Sequence, residues 1–401
     1  MKETSGQVKF KNSELPFSDK LTSFFKAAIK SNISLAIWKN PRQNEVNSIC
    51  QLEYSTFYPD ELETAPQGYY FVPFDNNGSS KSEFIKADIS FNSIENELRI
   101  NPVFNGHESL DKFKKLFDGT FDFILSDYLL DDNVAHKHKE NYKKLVSEAI
   151  EAIDSGDYQK IVPARTIQIN LPDEFDPIAE FFKLRAAYEN AFVSLVFIPN
   201  SGLWMGATPE LLLSVENHTL FKTEAVAGTQ AINQNFELSK AAWTQKEIEE
   251  QALVSRYIVN CFKSIRLREF EEYGPKTVKA GNLIHLKTVF SVDMKKVNYP
   301  LLGTAMLDLL HPTSAVCGMP MKSAAQFLKE KEGFDRLYYS GYLGPSNIDN
   351  KTSLFVNLRC MHILKSKAVL FAGAGVTEDS DPESEWKETE MKFNTLLNVI
   401  Q

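Results

Sequence analysis

The chain has 401 residues, 43% of them apolar and 24% charged, with a formal net charge of −9. That is enough apolar sequence for one large core or two smaller ones. The acidic balance argues against nucleic acid or an anionic membrane as the main partner, but leaves anionic small molecules open, because a pocket can be locally basic.

The first eleven residues are polar and charged, with no secretory h-region, and no run of 18 apolar residues occurs. Cys50, Cys261, Cys317 and Cys360 are scattered without C-x-x-C spacing. This argues against a disulfide framework or a zinc site and fits a reducing cytoplasm. Residues 1–130 read as short strands joined by polar loops, with 33–38 and 69–74 as apolar, β-rich runs. They carry no recognisable chemistry. A boundary is expected at Leu130-Asp131-Asp132-Asn133, dividing a structural layer over residues 1–135 from a catalytic region over 136–401.

Beyond it, Tyr142, Leu145, Val146, Ala149, Ile150 and Ile153 follow the helical period, and Gly156 is a natural stop. A strand is expected over 160–171, and buried strands over 192–199 and 211–215. Residues 247–262 read as a helix. Residues 367–371 read as a strand entering the turn Ala372-Gly373-Ala374-Gly375, and 383–400 as a closing helix. Strands mixed with long helices, without strict βαβ alternation, favour an α+β fold.

Glu385, Glu388 and Lys392 fall on one face of the closing helix. Glu247 and Glu250 repeat the pairing on the earlier helix. Two helices that each offer carboxylates, with no His or Cys in the pattern, point to a hard divalent cation such as Mg²⁺. The glycine turn at 372–375 lets backbone approach a ligand, and Ala227-Gly228-Thr229 is a second turn of that kind. The sixth position of the pattern that begins at Gly373 is Glu378, which rules out a dinucleotide-binding fingerprint. Arg359, read as part of an alternating strand 355–359, must find an anion if its strand face is buried. Lys160, if held in a pocket, becomes a usable base through desolvation. Glu210, beside a triple leucine, becomes an acid if burial raises its pKa.

Together these segments resemble the chorismate-utilising enzymes and, within them, the isochorismate synthase branch. The resemblance runs from about residue 160 to 392. Its carriers are Lys160-Ile-Val-Pro-Ala-Arg165, Gly206-Ala-Thr-Pro-Glu210, Ala227-Gly-Thr229, Lys246-Glu-Ile-Glu-Glu250-Gln251, His311-Pro-Thr-Ser-Ala315-Val-Cys-Gly318, Tyr339-Ser-Gly-Tyr-Leu-Gly344, Asn357-Leu-Arg359, Ala372-Gly-Ala-Gly375 and Ser380-Asp-Pro-Glu-Ser-Glu385-Trp-Lys-Glu388. It implies two stacked, largely antiparallel sheets with helices packed outside and a site in the cleft between them. It implies that Glu250 and Glu388 are direct Mg²⁺ ligands, with Glu247 and Glu385 behind them. The ring carboxylate of chorismate would sit at the metal and at the backbone of Ala227, Gly228 and Thr229. Arg359, Tyr339, Lys392 and the backbone at Gly373 would clamp the enolpyruvyl carboxylate, and His285 and Ala315 would line the pocket. Lys160 would activate water for addition at C2, and Glu210 would protonate the departing C4 hydroxyl.

Within this family Lys160 stands where anthranilate synthases typically carry glutamine, so water rather than ammonia is expected, with no amidotransferase subunit. Val226-Ala227-Gly228 lacks the lysine of aminodeoxychorismate synthases. Ala315 replaces the threonine of salicylate synthases, the main alternative activity. Menaquinone synthesis is the expected pathway, with siderophore supply as the alternative; a non-catalytic chorismate-binding role is disfavoured by retention of Lys160, Glu210, Glu250 and Glu388. One departure stands out: the metal helix commonly reads Asp-Arg-x-Glu-His, whereas here it reads Glu247-Ile-Glu-Glu250-Gln251.

Overall fold

A computed structural model of the protein describes residues 15–75, 78–131, 138–231, 236–280 and 283–400. The first part contains α1 (Phe17–Ser31), β1 (Leu35–Lys39), β2 (Val46–Cys50), β3 (Gly68–Val72), β4 (Glu83–Lys86), β5 (Ile89–Asn92), β6 (Arg99–Ile100) and α2 (Glu108–Phe117). The middle contains α3 (Lys139–Asp154), β7 (Lys160–Ile161), β8 (Ala164–Asn170), α4 (Pro177–Ala187), β9 (Phe192–Ile198), β10 (Gly202–Thr208), β11 (Leu211–Glu216), β12 (Leu220–Ala231) and α5 (Gln245–Ser264). The rest is β13 (Glu271–Ala280), β14 (Leu283–Asp293), α6 (Leu302–Leu310), β15 (Gly318–Met319), α7 (Met321–Lys331), β16 (Tyr342–Ser346), β17 (Lys351–Val356), β18 (Cys360–Ile363), β19 (Lys367–Gly373) and α8 (Pro382–Ile400).

The strands form a nine-stranded sheet, β6-β5-β2-β1-β9-β10-β18-β19-β8, and an eight-stranded sheet, β13-β14-β12-β11-β17-β16-β3-β4. The α+β expectation of two stacked antiparallel sheets with helices outside holds. The period-2 pleat sends alternate side chains to opposite faces, and β1 shows the result. Leu35 and Ile37 join the core under the helices, while Ala36 and Trp38 join the core between the sheets. Phe192 of the first sheet stacks on Phe355 of the second at 4.1 Å, stitching the two together. Helices α1, α4 and α8 cover the first sheet's outer face, and α5 and α6 cover the second's.

Two expectations change. Residues 1–130 are not only strands and loops: α1 and α2 are helices. In α1, Leu21, Phe24, Phe25, Ala28 and Ile29 line one face and are buried, the spacing that revealed α3. The expected strand over 160–171 is two. Pro163 lacks an N–H, and the chain breaks there, so β7 leaves the large sheet to pair with β15 while β8 pairs with β19. The expected division near residue 135 lies outside the described residues. The strands on its two sides share both sheets, since β1 pairs with β9 and β3 with β16. All four cysteines are buried free thiols, and among the described residues no helix is long and apolar enough to cross a membrane.

Phe24 is fully buried against Phe91 at 5.0 Å and Phe113 at 5.5 Å. Phe24→Ala should therefore lower unfolding stability by about 3–5 kcal/mol, read by denaturant titration; a loss below about 1 kcal/mol would contradict the placement of α1.

Candidate active site

One cleft, about 760 Å³ counted out to solvent at its mouth, is lined by both sheets and by α5 and α8. Lys160, Glu210, Ala227, Gly228, Glu250, His285, Ala315, Tyr339, Arg359, Gly373, Glu388 and Lys392 all face it. These positions span most of the chain, and the fold brings them together. Glu247 and Glu385 do not line it. Of Thr229 only the backbone is described.

Local structure explains each placement. In β12 the register against β14 shifts between Ala227 and Thr229, and Gly228 has φ +68°. This is a β-bulge with glycine in the left-handed region, which turns the backbone toward the cleft. A Cβ there would press on Glu247 and Trp243 at 3.3 Å. Gly375 is needed for a different reason: a Cβ would lie 2.8 Å from both Glu250 Oε1 and Lys160 Cε. Arg359 lies beyond the end of β17, not on a strand as expected, in the turn before β18 with φ +48°. Its carbonyl accepts from Ala207 N at 3.0 Å, which holds this sparsely populated conformation in place. Its Nη1 is buried without a hydrogen-bond partner, so a bound anion is the natural complement.

The charges of the cleft are arranged as pairs. Lys160, 1% exposed, donates to Glu250 Oε1 at 2.7 Å. Lys392 lies 2.7 Å from Glu388 Oε1 and donates to the Gly373 carbonyl at 2.7 Å. Lys246 of α5 reaches Glu385 of α8 at 2.6 Å. Lys160 is thus held as a partner of Glu250 rather than standing alone in an apolar pocket. Burial by itself would raise the Glu250 carboxyl; Lys160, Lys392 and Lys246 override it and hold Glu250 below the usual range. Glu385 moves the other way, raised by burial and by Glu388 against the pull of Lys246. Glu247 is occupied as a helix cap, accepting from Thr244 N at 2.7 Å and from Gln230 Nε2 at 3.0 Å.

One group, Glu210, has a proton affinity suited to chemistry near neutral pH. Glu210 still opens partly to the cleft, yet burial pushes its carboxyl up to about 7 against the opposing pull of Lys160, Lys392 and Arg359. His285 is pushed down to about 4, first by burial and then by Arg359. Its Nδ1 lies 3.0 Å from the Gly228 carbonyl, so in the neutral ring Nδ1 carries the proton. Tyr339 is raised to about 12 by burial and stacks on Phe371 at 5.4 Å. Sequence reading did not single out Lys246 or Gly375 as individual site residues. Lys246 lies one helical turn before Glu250, which was the available signal.

Gln251, the departure from the usual histidine, is buried and points away from the cleft. Its Nε2 donates to Thr288 Oγ1 at 3.0 Å and to the Ala225 carbonyl at 3.2 Å, pinning α5 to β12 and β14. The change therefore alters how the helix is anchored and leaves Glu250 facing the cleft.

Such a cleft, with Arg359 and Lys392 in its wall and a neutral-range carboxyl beside a buried lysine, has the chemistry to hold a small acid and to transfer protons. The chain belongs to the chorismate binding enzyme family, whose match covers residues 98–401. It is 28% identical over 263 residues to the vibriobactin-specific isochorismate synthase of Vibrio cholerae, covering 64% of this chain and 66% of that one. It is 30% identical over 264 residues to the isochorismate synthase MenF of Haemophilus influenzae, covering 64% and 59%. The match thus spans less than two thirds of these relatives' own length. The fold matches that of MenF, the menaquinone-specific isochorismate synthase from Escherichia coli, with TM-score 0.74 at 20% identity over 94% of this chain and 91% of that one.

Burial sets the proton affinity of Glu210, and that sets a measurable pH dependence. Its folded value of about 7 lies above the ordinary 4.5. The folded state therefore holds a proton that the unfolded chain releases between those values, and this group's contribution to stability falls as pH rises through about 7. In a carbon-13 NMR titration one glutamate carboxyl should titrate near 7 and vanish in Glu210→Gln. A Glu210 carboxyl titrating below 5 would contradict the site.

Proposed function

We propose that the protein is an isochorismate synthase that converts chorismate to isochorismate in a Mg²⁺-dependent reaction. The observation that carries this reading is the joint placement of Lys160 and Glu210 in one cleft with Arg359 and Lys392. A base, a neutral-range acid and two cations for carboxylates are what the reaction requires.

The arginine fork of Arg359 and the ammonium of Lys392 clamp a carboxylate of the substrate. Tyr339 and the backbone of Gly373 bound the same region, and Ala227, Gly228 and Ala315 shape the pocket around the ring. His285, neutral with Nδ1 engaged, presents an acceptor nitrogen. Lys160, released from Glu250 and acting as the base, takes a proton from water as the water oxygen adds at C2. The ring double bonds shift, and the C4 hydroxyl departs as water with the proton of Glu210. Held orientation contributes much of the acceleration, and each positioned proton transfer contributes about 10²–10⁴-fold.

The donor set fits a hard divalent cation: Glu250 of α5 and Glu388 of α8 offer carboxylate oxygens to one cleft, and the His285 ring there is engaged with the Gly228 carbonyl. Among the described residues no three His, Cys, Asp or Glu side chains converge on one point. Substrate and water would therefore complete the shell, as Mg²⁺ favours, with Glu385 behind Glu388. Bound there, the ion would neutralise the ring carboxylate and fix the ring. Glu247 has a capping role instead. Chorismate is the substrate, no amidotransferase subunit is required, and the site of action is the cytoplasm. Menaquinone synthesis is the pathway we favour, with siderophore supply as the alternative.

Purified protein incubated with chorismate and Mg²⁺, with and without ammonium, should yield isochorismate by chromatography. Salicylate with pyruvate, anthranilate, or no product would each contradict the reading. Lys160→Ala should reduce turnover by at least about 10²-fold while chorismate still binds by calorimetry, and chelation should abolish turnover until Mg²⁺ is restored.

A further inference from the structure

We infer that the buried Glu332–Arg336 pair is a positioning device for Lys160. It lies outside the lining of the cleft and holds the lysine-bearing strand at the point where it leaves the large sheet. The inference rests on the proposed role of Lys160 as the base.

The break at Pro163 creates a local problem of backbone pairing. Between β7 and β8 the chain changes partners, and the groups flanking the proline lose a strand ladder. Buried N–H and C=O groups must find partners. Glu332 Oε1 accepts from Ala164 N at 2.7 Å, just after the break. Arg336 Nη2 donates to the Val162 carbonyl at 2.7 Å, just before it. The two side chains thus replace the ladder on both sides of Pro163. Arg336 Nη1 donates to the Val316 carbonyl at 2.8 Å, beside Ala315, and the Arg336 carbonyl accepts from Tyr339 N at 2.9 Å. The guanidinium therefore ties the Lys160 strand to the segment bearing Ala315, and the backbone of the same residue holds Tyr339.

The pair is built for rigidity. Glu332 is 2% exposed and Arg336 3%. Arg336 Nε donates to Glu332 Oε2 at 2.8 Å, and Nη2 also reaches Glu332 Oε1, giving a bidentate fork. Phe74 lies under the guanidinium at 4.5 Å. Each nitrogen of the fork is engaged by protein backbone or by Glu332, and neither residue lines the cleft. Val162 is two residues from Lys160, and both line the cleft. Slackening at Val162 must therefore move the ammonium relative to Ala315 and Tyr339.

Arg336→Lys tests this, because lysine keeps the charge beside Glu332 but cannot bridge Val162, Val316 and both Glu332 oxygens in one plane. The expected result is a kcat lower by about 10–100-fold, a KM for chorismate within threefold of the wild type, and an unchanged circular dichroism spectrum at assay temperature. Glu332→Gln, which still accepts from Ala164 N, should retain more of the kcat than Arg336→Lys. If Arg336→Lys does not fold, Glu332→Gln/Arg336→Met, which leaves no buried charge unpaired, takes its place with the same expectation. A folded variant with wild-type kcat, or one that loses chorismate binding and kcat together, overturns the inference. Failure of both Arg336 variants to fold overturns it too, since the pair is then needed for the fold as a whole. Wild-type protein assayed alongside separates this from the proposed function: absence of isochorismate there rejects that reading, whatever the variants do.

Discussion

Three lysine–glutamate contacts, Lys160–Glu250, Lys392–Glu388 and Lys246–Glu385, hold the active region of this protein together. Charge cannot be left unpaired out of water: removing one partner of a buried pair costs about 3–5 kcal/mol. Two of the pairs join elements that the chain places far apart, β7 to α5 and α5 to α8, and the third lies within α8. Each carboxylate proposed to stand at or behind the metal is balanced by an ammonium within hydrogen-bonding distance. The same balance explains how Glu250 stays ionised in a buried place while Glu210, lacking a partner at such range, is pushed into the neutral range. Two carboxylates in one cleft are thereby driven apart in proton affinity, which is how acid and ligand roles become distinct.

The scaffold serves that arrangement. Strands buried on both faces make a stiff double sheet, and the cleft opens where backbone regularity fails: the bulge at Gly228, the left-handed Arg359 and the break at Pro163. Each irregularity aims a functional group and is held by a specific contact. His285 holds Gly228, the Ala207 N–H holds Arg359, and Glu332 with Arg336 holds the ends of the break.

Much of this was legible in the residues. Helices α3, α5 and α8 announce themselves through long 3.6-residue periods, and most of the cleft-lining positions through motif order. Helix α1 has an equally regular face but is rich in phenylalanine and lies among short β-rich runs, which masked its period. The Lys160–Glu250 contact joins residues 90 positions apart, and no local pattern predicts it. Glu332 and Arg336 belong to no motif in the sequence; only the tertiary packing reveals them as a buried pair. The cap at Glu247 was readable as Thr244-x-x-Glu247, yet the carboxylate count drew attention to metal binding instead.

The central claim is that Lys160 delivers a solvent water to C2 while Glu210 releases the C4 hydroxyl. Turnover in water enriched in oxygen-18 tests it most directly. Mass spectrometry of isochorismate formed early in the reaction should show one solvent oxygen incorporated, located at the C2 hydroxyl. Isochorismate without the label would mean that the C4 oxygen migrates within the substrate, and would contradict the assigned roles of both residues.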